Sequence, residues 1–574
     1  MDLAALTVVA TRPAPLRFLP MPRRLVAALP LLTLALATAC GRPDGSAGGG
    51  TVIIATAADP EPLLPPTRTN VTGRLASELL FDPLVEIGPE LNPFGDAGFV
   101  PRLAEGWTWS ADSLAITFTL DPDARWHDGT PVTARDVVTG LAVIRDPANG
   151  SAVAGDVTEI DSITAPDAHT AVMHFAARSA EQFYTASLVY PLPAHLVDTI
   201  PSGALAASAY AQRPVGSGPY RLVAREPKVR LELAAVEDHY RGRPGPDRIA
   251  LVIAPDPATG IAKVWAEEAD VWDLLPPPEV AAAAAHPQVR LVRAAGWDYN
   301  FIAFNYRDPR DTTRAHPILA DRAMRRALTM GLDRTGLVRA LFDSLARPLL
   351  GPFVRAQDTA DTTIAALPFD TAAADRLLDS LGWTGRDRAG IRLRGGRPLR
   401  LRALVPAPSA NRMRASVVVQ EQWRRLGVDL VIDKLEAQAF GAARDGGTFD
   451  VIFGGWGTTP SVRGLRSTWG SRARPGWGRQ NSGQYADAAF DSLVAAGLAA
   501  PDPAATRRLI RAAYARVVDD AAAIWLYEPV PVSAVHARFA LPAWRPEAWW
   551  RTLPGWRLAD GATPLPRDAR PTTP

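Results

Sequence analysis

The stretch 103–138, LAEGWTWSADSLAITFTLDPDARWHDGTPVTARDVV, constrains the fold more than any other part of the chain. It sets a strand, a tight turn and a helix start in one uninterrupted block. Within 113–120 the β-branched and apolar residues alternate, with Ile116 and Phe118 on one face and Thr117 and Thr119 on the other, as a half-buried strand requires. His127-Asp128-Gly129 supplies the turn, where glycine tolerates a positive φ. Thr133 then stands where an N-cap is needed, with Asp136 in the first turn of the helix that follows.

The same block resembles the signature of the family 5 extracellular solute-binding proteins, the peptide- and nickel-binding proteins of ABC importers. Further segments match that family in its order: 81–85 (FDPLV), 215–220 (VGSGPY), 299–305 (YNFIAFN), 321–333 (DRAMRRALTMGLD) and 449–456 (FDVIFGGW). At 238–242 (DHYRG) the family's tryptophan is replaced by Arg241. The matches run from about residue 51 to 530. The resemblance implies an α/β, two-lobed periplasmic-binding-protein fold of type II with an extra subdomain in lobe I. It places lobe I at 51–300, lobe II at 301–524, and a return to lobe I with a C-terminal tail at 525–574. Hinges between the lobes are expected near 301–306 and 525–528. The tail begins rich in tryptophan (Trp544, Trp549, Trp550, Trp556), which predicts packing on lobe I, and ends rich in Pro and Arg.

At the start of the chain, 21–40 reads as a lipoprotein signal peptide. Arg23 and Arg24 precede a short apolar run, and small residues lead to Cys40, the single cysteine. The run is too short to span a bilayer. The small residues before Cys40 resemble a lipobox, although Ala37 occupies the position where leucine is preferred, with Leu36 one residue earlier. Cys40 is therefore expected to carry a lipid, and 41–50 (GRPDGSAGGG) to act as a flexible tether. Met21 is an alternative initiator to Met1. The expected location is periplasmic or cell-surface, anchored to the membrane.

Composition bounds the rest. A hydrophobic content of 47% supports sizeable cores, and a net charge of +2 gives no reason to expect nucleic acid. One cysteine and 8 histidines offer neither a disulfide framework nor a cysteine-based zinc site. His127 has no second histidine three or four residues on and reads as a structural residue of its turn; no metal or cofactor is expected. No P-loop, dinucleotide fingerprint or G-x-S-x-G elbow occurs, so no catalytic residue is assigned.

Ligands of α/β proteins bind beyond the carboxyl ends of strands. Three loops qualify as the binding site: that holding Thr69 and Asn70, the segment Tyr299-Asn300, and the loop after 449–456 with Trp456, Thr459 and Arg463. In peptide-binding members of the family, an aspartate three residues after the tryptophan pairs with the peptide's ammonium. Here that position is Thr459, and no acidic residue lies between Asp450 and Asp487. Arg463, of opposite sign, is the candidate for holding a carboxylate or phosphate. The resulting expectation is a monomeric binding protein that delivers an oligopeptide or related solute to an ABC permease. A transporter-independent sensor or chaperone lipoprotein is the alternative, and a secreted hydrolase a remote one.

Overall fold

The computed structural model describes residues 49–67, 70–474, 477–562 and 565–568. Cys40, Thr69 and all of the expected signal peptide lie outside the described residues.

Two large sheets organise the body. The first has seven strands, in the order Val289–Arg293, Val532–His536, Val271–Trp272, Thr51–Thr56, Arg248–Ile253, Arg230–Ala235 and Tyr220–Glu226. The second has six, in the order Ala346–Pro348, Ala523–Pro529, Asp298–Phe304, Val451–Gly457, Arg400–Pro406 and Asp429–Leu435. A separate four-stranded sheet, Ala104–Trp109, Ala115–Leu120, Thr170–Phe175 and Ile160–Thr164, is the extra subdomain. The fold is thus two-lobed α/β, as the sequence implied.

The chain passes between the large sheets twice, at 294–297 and at 530–531. The boundaries read from sequence therefore move. Asp298–Phe304 and Ala523–Pro529 pair with each other in the six-stranded sheet, so a lobe boundary at 300/301 or 524/525 would cut a strand that its ladder holds whole. The crossing segments lie side by side: Ala294 N donates to Pro531 O at 3.1 Å. A Cβ on Gly296 would stand 2.0 Å from Pro529 O, so only glycine admits this approach.

The signature block folds as its pattern demands. Ile116, Phe118 and Leu120 are buried on one face of their strand. Gly129 takes φ +86° in the turn, and Ala134–Arg145 is a helix capped by Thr133. Asp136, 3% exposed, ties the block together. Its carboxylate accepts from Thr133 N at 2.7 Å, Trp126 Nε1 at 3.2 Å and Ala194 N at 2.7 Å. The tail packs as expected: Trp549, Trp550 and Trp556 are buried in the core of the first lobe with Val52 and Leu75.

Candidate functional site

A cavity of about 1050 Å³ lies between the two lobes, at the upper end of the roughly 300–1000 Å³ usual for small-molecule sites. The six-stranded lobe contributes Trp456 near the end of the strand Val451–Gly457, Thr459 and Arg463 in the segment that follows it, and Tyr299. The other lobe contributes 150–156, Tyr184 and a charged wall that includes Arg74, Glu86, Glu547 and Arg551.

The start of the loop is held by its own lobe. Thr458 Oγ1 donates to Trp297 O at 2.7 Å and Gln357 Nε2 donates to Thr459 O at 2.9 Å. Tyr299 is 2% exposed and its hydroxyl accepts from Trp469 Nε1 at 2.9 Å, among the rings of Phe301 and Trp525. Tyr184, beside Thr459, is pushed up to about 12 by burial, so its phenol stays neutral.

Arg463 is not a free cation. It is 2% exposed and pairs with two carboxylates of the opposite lobe. Its Nη1 and Nη2 reach Glu159 at 2.5 and 2.7 Å, and its Nε stands 3.2 Å from Glu181. Glu181 also accepts from Ser461 Oγ at 2.8 Å and Val462 N at 2.9 Å. Burial raises the Glu181 pKa, against the pull of Arg463. The expectation that Arg463 offers its guanidinium to a ligand is therefore corrected: the fork is spent on an interlobe ion pair, because acids distant in sequence fold against it.

Two further expected residues lie elsewhere. Asn70 caps the helix Val71–Leu80, its Oδ1 accepting from Gly73 N at 2.6 Å and its amide donating to Glu61 O at 3.0 Å. It does not line the cavity. Asn300 points its Oδ1 at Arg412 Nε, 3.2 Å away, and is likewise absent from the cavity wall. Successive strand residues face opposite sides, so Tyr299 and its neighbour Asn300 could not both face the cleft. The structure brings Tyr299, Trp456, Thr459 and Arg463 together. Asp156, Tyr184, Arg74, Glu547 and Arg551 were missed, since they sit in segments without a motif and only tertiary folding gathers them.

Asp156 lines the cavity with a side chain 41% exposed. Its carboxylate accepts no hydrogen bond among the described residues, and the nearest cation, Arg466, is 3.9 Å away. Burial raises its pKa, with Arg466 and Arg463 opposing. At the charged wall, Glu547 gives one oxygen to Arg545 at 2.6 Å. Its other oxygen is buried and accepts no hydrogen bond among the described residues, in a side chain 6% exposed.

No group of three or more His, Cys, Asp or Glu among the described residues is placed to hold a metal. No described helix is long and apolar enough to cross a membrane.

Comparison with known proteins agrees with this geometry. The sequence profile of the bacterial extracellular solute-binding proteins, family 5 Middle, matches residues 98–473. A Brucella ovis protein named as an ABC transporter peptide-binding protein is 26% identical over 382 residues, 65% of this chain and 68% of its own. The di/tripeptide-binding protein 2 of Pseudomonas aeruginosa is 24% identical over 428 residues, 71% of this chain and 76% of its own. The structure of the oligopeptide-binding protein AppA of Bacillus subtilis with a nonapeptide superposes with a TM-score of 0.75 at 20% identity, covering 89% of this chain and 99% of that one.

Proposed function

We propose that this chain, which belongs to the bacterial extracellular solute-binding proteins of family 5, captures a peptide or peptide-like solute between its lobes and delivers it to an ABC permease. The observation that carries the reading is the interlobe cavity itself, walled by side chains from both lobes. The names of the relatives from Brucella ovis and Pseudomonas aeruginosa support peptide as the solute class. In this reading Trp456 offers a ring face to the ligand and Thr459 a neutral hydroxyl, while the buried Tyr299 backs the wall. The lobes open by bending at 294–297 and 530–531, and ligand selects the closed form through contacts available only there. The protein works as a monomer, exported by the signal at 21–40 and held at the membrane by a lipid on Cys40.

A thermal-shift titration tests the solute class. The purified protein is titrated with trialanine, a nickel–histidine chelate and maltotriose. Peptide at 100 times its dissociation constant adds about 2.7 kcal/mol of stability and raises the melting temperature. A shift with the chelate or the sugar and none with peptide would replace peptide as the solute. The anchor is tested separately: Cys40→Ser moves the protein from the membrane fraction to the soluble one, and an unchanged distribution would remove the lipid from the account.

A further inference from the structure

The net charge of +2 conceals a split between the lobes. The span 51–293 of lobe I carries 18 Lys and Arg against 31 Asp and Glu, and the tail 532–574 adds 6 against 3. The span 298–529 of lobe II carries 33 against 24. A general preference for arginine would raise both lobes alike, so the surplus belongs to lobe II itself. Such asymmetry between parts of one chain points to an anionic partner for the basic part.

Part of the surplus gathers at one place. A small sheet of Gly385–Arg386, Arg392–Arg394 and Arg397–Pro398 lies against the end of the helix Ala410–Leu426, where Arg392 N donates to Gly427 O at 2.8 Å. The stretch 376–402 holds 8 arginines and 2 aspartates. Three of these arginines are neutralised: Arg392 by Asp375 and Asp379, Arg400 by Asp429 and Arg402 by Asp433. Arg376, Arg388 and Arg397 are exposed and join no ion pair among the described residues, as does Arg424 in the last turn of the helix. Arg394, also exposed, lies over the Trp383 ring at 4.7 Å and meets no carboxylate among the described residues.

Two further observations say what kind of partner this is. Arg394 and Arg397 stand directly opposite each other across the turn Gly395-Gly396. Like charges so placed destabilise a hairpin, and negative charge in front of both removes the cost. None of these arginines lines the interlobe cavity or the smaller hollow beside Val197. They present a charged surface, which suits an extended anionic face better than a single small anion.

Building on the anchoring reading above, we propose that this basic end of lobe II binds the anionic head groups of a phospholipid bilayer. The lipid on Cys40 brings the chain to that bilayer. A negative head-group layer repels the acidic lobe I and attracts lobe II, so the charge split orients the body on the surface. The contact is electrostatic, reversible and weakened by salt.

The test is flotation of the exported chain carrying Cys40→Ser, so that no lipid on the protein contributes. Vesicles of phosphatidylcholine alone are compared with vesicles of phosphatidylcholine and phosphatidylglycerol. The expected result is flotation at low salt with the anionic vesicles only, and release by about 0.5 M salt. The pair Arg388→Glu with Arg397→Glu weakens binding at least tenfold, and Arg388→Gln with Arg397→Gln weakens it less. The lobe I pair Arg213→Glu with Arg221→Glu, also exposed, changes net charge equally and leaves binding within twofold. Equal loss from the two glutamate pairs would assign the effect to net charge and overturn the proposal. So would absence of flotation with anionic vesicles at low salt, which would leave an acidic protein as the partner of this end. If flotation holds but Cys40→Ser does not release the protein in cells, the anchor fails and the head-group site stands. If Cys40→Ser releases it but flotation fails, the anchor stands and this inference falls.

Discussion

The imidazole of His127 is fixed by two backbone groups. Gly216 N donates to its Nδ1 at 3.1 Å, which puts the proton on Nε2, and Nε2 donates to Gly218 O at 2.9 Å. Burial lowers its pKa from 6.5 to about 4, partly countered by the Gly218 carbonyl. The unfolded chain therefore binds a proton between these values that the folded one refuses. Stability is full above pH 6.5 and is lost as pH falls toward 4, by up to about 3 kcal/mol at 1.36 kcal/mol per pKa unit. Urea denaturation at pH 7 and pH 4.5 should show a smaller acid loss for His127→Gln than for the parent, since glutamine keeps one acceptor and one donor but cannot be protonated. Equal losses would assign the acid sensitivity to other groups. The residue scale also shows where reading by sequence stops. That His127 serves its turn was read from the turn motif, and its bonds to the backbone at Gly216 and Gly218 agree with that. That Arg463 is neutralised was not legible there, because Glu159 and Glu181 lie some three hundred residues away in the chain.

At the scale of elements, periodicity and capping residues were legible because their causes are local. The strand Ala115–Leu120, the helix Ala134–Arg145 and the helix Ala410–Leu426, ended by Gly427 at φ +91°, each follow from neighbours within a few positions. The segment 215–220 shows the complementary case. Its glycines enter as part of a family match, and packing supplies their reason. A Cβ on Gly216 would stand 1.9 Å from Leu80 O at the end of the helix Val71–Leu80, and one on Gly218 would stand 2.6 Å from Leu79 O. Both obstacles are backbone, which cannot rotate aside. Gly216→Ala should therefore destabilise the protein by about 1–3 kcal/mol, seen as a lower urea midpoint. An unchanged midpoint would mean that the helix end and the segment separate without cost.

At the scale of the molecule, the interlobe ion pair governs how readily the cleft opens. Glu181 and Arg463 are almost wholly removed from water, with side chains 3% and 2% exposed. Removing one partner of such a pair typically costs about 3–5 kcal/mol because the other charge is left buried. Opening the lobes rehydrates it, so Arg463→Ala should favour the open form. Small-angle scattering of the ligand-free protein should give a larger radius of gyration for this variant. The double change Arg463→Met with Glu181→Gln, which buries no lone charge at that pair, should return toward the parent. A radius unmoved by Arg463→Ala would show that apolar contacts alone hold the lobes together. By itself the sequence determined strands, turns and helix starts, since alternation, turn glycines and caps act over short distances, and its ordered motifs carried the resemblance that implied the α/β class, the two-lobed plan and the family. Tertiary structure alone decided where the chain crosses between lobes, which loops wall the cavity and which charges stay unpaired there. Those depend on ladders and ion pairs between residues hundreds of positions apart, whose meeting no local pattern encodes.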